Sequence, residues 1–297
     1  MRTVLADARR GHPGLYGTAV AMAALALVTA TLAVVDQREL LGAPLWFKPL
    51  KFAIAIALYG ATLAWILSRL PARAMWRAGW VITAGTVLEM VIIVGQAARG
   101  VRSHFNTDTP FDVALYSIMG AVIVVVWLAT VSIALRYLRE PVDDPVTASA
   151  VRLGLAIGLA GMAVGFLMSA GDAHAVGVPD GGPGMVFTGW STTGGDLRIG
   201  HFVGMHALQV LPLLAAGLAA LSGRLDEATR LRVVRIAAAG YAGLVALVTW
   251  QALRGQPLIA PDAVTLAAFA ALVLGTGGAL AAVLARTPRR SPAPTTV

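Results

Sequence analysis

Polar residues in this chain of 297 come in short clusters, and between them lie apolar runs of about twenty residues or more. A helix needs about 20 residues to cross a hydrocarbon core about 30 Å thick. Eight runs meet that length: 15–35, 46–68, 76–98, 112–138, 150–173, 197–221, 232–253 and 262–286. The pattern predicts an all-α polytopic membrane protein with eight transmembrane helices. The first run follows "ADARRGHPG" and ends near "VTATLA", the outline of a signal peptide. Its apolar stretch exceeds the roughly 7–15-residue core of such a segment, so it counts as a span.

Composition agrees. The chain is 58% hydrophobic and 13% charged, where a soluble domain carries about 25% charged residues. A net charge of +8 raises the question of nucleic acid, and its placement answers it. With the N-terminus in the cytoplasm, the outer connections receive Arg38, Lys48, Lys51, Arg99, Arg102, Arg198 and Arg254. The inner side receives the other 16 of the 23 basic residues. That asymmetry is the positive-inside rule. It predicts a multi-pass protein of the cell membrane with both termini cytoplasmic, and no nucleic-acid partner. The absence of cysteine excludes disulfides, thiolate metal sites and covalent c-type haem.

A repeat runs through the chain. "GQAARG" (95–100) and "WQALRG" (250–255) align Gln96 with Gln251, Arg99 with Arg254 and Gly100 with Gly255, at an offset of 155 residues. "PFDVAL" (110–115) and "PDAVTL" (261–266) follow, each opening the next span. The same offset sets "WFKPLK" (46–51) on "HFVGMH" (201–206), hence Lys51 on His206. The expectation is two parallel four-helix repeats, 1–143 and 144–297, forming one integral membrane domain about an axis along the membrane normal. Chance similarity between short apolar stretches is the competing reading. The four-plus-four layout resembles haem A synthase in outline; that family's signature residues are not found here, so the likeness is architectural.

Candidate chemistry gathers from the midplane outward. Glu89 lies mid-span, where an ionisable group either bonds a neighbouring helix or marks function. Gln96 shares its helix face, with Arg99 close to it. His104 sits among charges in the outer loop "RGVRSHFNTDTPFD" (99–112). His201 and His206 are about 140° apart around a helix and cannot chelate as an i, i+4 pair, which excludes HExxH chemistry. His206 and Gln209 do share a face. The glycine-rich stretch 171–196, with His174, is either a connector or a lid over the outer face. Gly154, Gly158, Gly161 and Gly165, like Gly200 and Gly204, read as packing surfaces.

Lys48 and Lys51 are the chain's only lysines. Pro49 suits a first helical turn, so both belong to a helix N-terminus, which favours an anion. That anion is either lipid phosphate met by snorkelling lysines or a group inside a site. The expected function is an outward-facing histidine, carboxylate and basic site: a b-type haem or metal-binding redox protein, a small-molecule or lipid transporter, or a metal-dependent intramembrane hydrolase. Glu89 and His104 are the candidate catalytic groups. Lys48, Lys51, Gln96, Arg99, Gln209, Gln251 and Arg254 are the candidate contacts to haem b or another anionic ligand. His201, His206 and His174 are the candidate ligands of a divalent metal. The lipid bilayer is the expected partner, together with an anionic small molecule.

Overall fold

A computed structural model describes residues 2–142 and 144–286, apart from the side chains of residues 2–4. Among the described residues there are nine helices, eight of them long and apolar enough to cross a membrane. These are α2 (Pro13–Val35), α3 (Phe47–Leu67), α4 (Trp76–Ala98), α5 (Pro110–Arg139), α6 (Pro145–Ala170), α7 (Leu197–Ala219), α8 (Glu227–Leu253) and α9 (Ala263–Ala285), preceded by the short α1 (Arg2–Gly11). The sheet content is two small antiparallel pairs, β1 (Glu39–Leu40) with β2 (Ala43–Pro44), and β3 (Ala175–Val176) with β4 (Gly195–Asp196).

Several helices start before their apolar runs, because caps outweigh hydropathy at an end. Asp144 accepts from the Val146 amide ahead of Pro145, so α6 begins at 145 rather than 150. Asp226 accepts from the Thr229 amide, so α8 begins at 227 rather than 232. Pro110 and Pro145 occupy first helical positions, where a missing N–H costs nothing. The apolar pattern does not announce α1. It packs on α3, and Ala8 belongs to the same buried cluster as Leu63, Ala64 and Leu67. His12 then caps α2, accepting from the Leu15 amide at 3.2 Å, with Nε2 3.1 Å from the Trp76 carbonyl and Gly79 leaving room for its ring.

The core is assembled from helix faces, and the outside stays apolar. Leu15, Leu63, Ile82, Ile133, Tyr137, Val151 and Leu208 form one buried cluster that joins the first four spans to α6 and α7. Leu27 and Leu274, each 74% exposed, face outward, as a bilayer requires. Within α2–α5 the packed pairs are α2 with α3, α3 with α4, α4 with α5 and α2 with α4. Within α6–α9 they are α6 with α7, α7 with α8, α8 with α9 and α6 with α8, and the two sets meet through α5–α6 and α3–α7.

The tightest seam is α6 against α7. A Cβ on Gly161 would lie 2.5 Å from the Gly204 Cα, and one on Gly154 would lie 2.9 Å from the Ala207 carbonyl oxygen. Small residues let backbones approach this closely. Gly200, expected to act with Gly204, instead makes room for Thr249 of α8.

Candidate functional site

The N-terminus of α3 is held from two directions. Asp36 accepts from Trp46 Nε1 at 2.8 Å and from Arg38 at 2.7 Å, which fixes the turn into the helix. From the other side the stretch 171–196 folds over it. Lys51 Nζ donates to the Thr188 carbonyl at 2.9 Å, and Phe187 packs on Phe47. Arg198 donates to the Gly189 carbonyl at 2.6 Å while pairing with the fully buried Asp196, also at 2.6 Å. Inside the stretch, Asp180 accepts from the His174 and Ala175 amides and stands 2.8 Å from His174 Nδ1, an ion-pair distance without hydrogen-bond alignment. The connection therefore covers the lysine end of the molecule.

Beneath that cover several of the expected groups come together. Lys48 is half-buried, with Nζ 6.0 Å from the centre of the Phe52 ring. It has no hydrogen bond or ion pair among the described residues. Glu89, within electrostatic reach of Lys48, is 6% exposed, and its Oε1 is buried without a partner. His104 packs on Phe52 and Tyr116, its Nδ1 3.1 Å from Ser103 Oγ. Burial holds the His104 imidazole well below its usual range, and the nearby Lys48 acts in the same direction. At neutral pH it is an uncharged proton acceptor. The loop turns at Phe105, whose φ of 53° is left-handed, and this sets the Phe105 ring against both Tyr116 and His174.

Other expected residues lie in separate clusters. Gln96 and Arg99 turn to Asp112, which accepts from Gln96 Nε2 at 2.7 Å, Arg99 Nη1 at 2.8 Å and Thr109 Oγ1 at 2.6 Å. Arg99 also lies over Phe111 and beside a cavity of about 180 Å³. Gln251 donates to the Pro257 carbonyl, and Arg254 pairs with Asp262 at 2.7 Å. His206 and Gln209 form a chain to Thr62 of α3, with Gln209 Nε2 donating to Thr62 Oγ1 at 3.2 Å. His201 Nδ1 is 2.9 Å from the Gly161 carbonyl. His201, His206 and His174, expected as metal ligands, thus each address a different partner. Among the described residues no group of three or more His, Asp or Glu side chains is placed to hold a metal ion.

Sequence reasoning missed Asp112, Asp36, Asp196 and Arg198 as organising groups. Two signals were available. "TPFD" (109–112) has the Thr-x-x-Asp spacing of a capping box, and Thr109 Oγ1 accepts from the Asp112 amide as that box requires. Asp36-x-Arg38 and Asp196-x-Arg198 are two copies of one short ion-pair motif, each beside a two-stranded sheet at the lysine end. Comparison with protein-family models, with curated proteins and with solved structures finds no match.

Proposed function

We propose that this chain is a multi-pass protein of the cell membrane that binds a small anionic molecule in a site opening on the outer face. Lys48 and Lys51, at the N-terminus of α3, meet the anionic group; Glu89 lies beneath it and neutral His104 beside it as proton acceptors. The observation that carries this reading is the pairing of two unsatisfied groups: Lys48 without an anionic partner among the described residues, and Glu89 Oε1 buried and unpartnered within its reach. Leaving such groups unmatched in a membrane is costly. A molecule bearing a carboxylate or phosphate together with a hydrogen-bond donor satisfies both. Lys51 adds positive field, since it spends its hydrogen bond on a neutral carbonyl, whereas Arg198 is matched by Asp196.

The lysines make their own assay. Because these are the only two lysine side chains, an impermeant amine-acylating reagent followed by mass spectrometry of the peptide that carries them reads this site. Soluble citrate or pyrophosphate should slow acylation of Lys48 several-fold, and Glu89→Ala should weaken that protection. Equal rates with and without both anions would return the lysines to the role of lipid anchors.

Orientation follows from the basic asymmetry. Reporter fusions after Gly100 and after Pro183 are expected to read external, and one after Arg224 internal; an internal signal at Gly100 would invert the site.

A second reading, haem b, draws on His206, which places Nδ1 at Gln209 and leaves Nε2 available, with His104 or His174 as the histidine from another element. In that case the lysines would meet propionates, and a Soret band in the purified protein would be the sign of it.

We also infer that α2–α5 and α6–α9 are copies of one four-helix unit. What supports this is local agreement at the aligned positions. Gly100 and Gly255 share φ values of 75° and 73°. Val101 and Gln256 amides donate back to the Gln96 and Gln251 carbonyls. Each glutamine side chain donates to the carbonyl six residues on, and each arginine pairs with an aspartate at the start of the next helix.

A further inference from the structure

At the end of the molecule away from the lysines, α6 and α8 enclose a groove of about 570 Å³. Its walls are apolar, formed by Leu153, Ile157, Ala238 and Ala242, but Arg152 and Arg235 both face it, with Ser149 beside them. The arginines lie seven and eight residues inside helices that start at Pro145 and Glu227, hence about 10–12 Å along each axis. Both therefore line the groove from facing helices near the start of the apolar runs, and Arg235 is exposed.

A charge at the edge of an apolar run needs a partner, a water-filled cavity or a route to the interface. Arg152 Nη2 donates to the Glu140 carbonyl at 2.9 Å, while its Nε is buried without a partner. Arg235 has no hydrogen bond or ion pair among the described residues. Among the described residues, Glu140 pairs with Arg136, and Asp144 accepts from the Val146 amide and the Thr147 hydroxyl. Two guanidinium groups thus converge on an apolar groove whose lining, among the described residues, includes no carboxylate.

We propose that this groove holds one anionic phospholipid. Its phosphate sits between Arg152 and Arg235, within reach of the Ser149 hydroxyl, and an acyl chain runs along Leu153, Ile157, Ala238 and Ala242. The match is one of charge and shape. Guanidinium forms strong charge-assisted hydrogen bonds to phosphate, and basic pockets between spans on the cytoplasmic side suit acidic head groups. The cytoplasmic placement comes from the basic asymmetry, and the groove is remote from the lysine end, so the two proposals stand or fall separately.

The test uses the full chain in mixed micelles containing phosphatidylglycerol and phosphatidylcholine, with retained lipid read by native mass spectrometry. Wild-type protein should retain phosphatidylglycerol several-fold over phosphatidylcholine. The Arg152→Gln/Arg235→Gln double variant should lose that preference, and so should Ala239→Trp, which fills the groove and leaves its charge intact. Arg139→Gln, an exposed arginine at the same end, should keep it. Arg235→Gln alone, also at an exposed position, carries the test if the double variant fails to fold. Absence of preference in the wild type, its persistence in any groove variant, or its loss in Arg139→Gln would overturn the proposal.

Discussion

Gly161→Leu is expected to force α6 away from α7 and to leave little folded protein in detergent. Even the first atom of a side chain at this position meets the Gly204 Cα and carbonyl carbon at 2.5 Å and the Met205 nitrogen at 2.6 Å. These are backbone atoms of a helix, so no rotamer change relieves the overlap. Overpacking of a tight seam costs about 1–3 kcal/mol where side chains can yield, and here they cannot, so about 3 kcal/mol or more is expected. The seam also carries His201, whose ring bonds the Gly161 carbonyl, so separation would break that contact as well. Gly161→Ala should be milder than Leu but still destabilising. Gly275→Leu and Gly120→Leu are the controls, since nothing lies within 4 Å of a Cβ at either position. Thermal unfolding followed by tryptophan fluorescence and size-exclusion chromatography separates the cases. A Gly161→Leu protein that melts like the controls would refute the close approach.

Asp112→Asn should lower the melting temperature by several degrees, whereas Asp262→Asn should barely change it. The two aspartates hold comparable positions, each at the start of a span and each paired with an arginine from the helix before. Their surroundings differ. The Asp112 side chain is 3% exposed and collects hydrogens from Gln96, Arg99 and Thr109. An amide there turns a donor toward these donors and leaves the buried Gln96 side chain short of an acceptor, which is where hydrogen-bond losses are large. The Asp262 side chain is 39% exposed and its Arg254 partner 34%, so water replaces much of what is lost. Asn also caps a helix as well as Asp does, and the Thr265 amide keeps its acceptor. Equal losses in the two variants would show that burial is not what separates these networks.

The chemistry of the candidate site was legible in part. Lys48 and Lys51 stood out because only two lysines occur, and Glu89 because a carboxyl in mid-span is costly. That His104 reaches Phe52 across a fold of many intervening residues was not legible, because loop positions carry no period from which a direction can be read. Arg99 shows the opposite error. Its sequence spacing put it near the face of Glu89, yet it turns to Asp112, the nearer and better-shielded carboxylate. Helical phase places a Cβ, and a long side chain then goes where its hydrogen bonds are.

Hydropathy by itself determined that the chain forms eight apolar membrane-length helices, because a bilayer demands about 20 apolar residues per span and satisfies backbone groups only inside a helix. Cysteine content and the distribution of arginine likewise needed no coordinates to exclude thiolate chemistry and to suggest an orientation. What only the tertiary structure decided is which helix faces meet. In hydrocarbon every apolar face is equally at home in lipid, so hydrophobicity does not select neighbours; close backbone approach and polar contacts do. The Gly161–Gly204 seam, the cover that Thr188 and Gly189 place over Lys51 and Arg198, and the convergence of Arg152 with Arg235 on one groove are all of that kind. Each depends on residues distant in the chain that come together only after helices have paired.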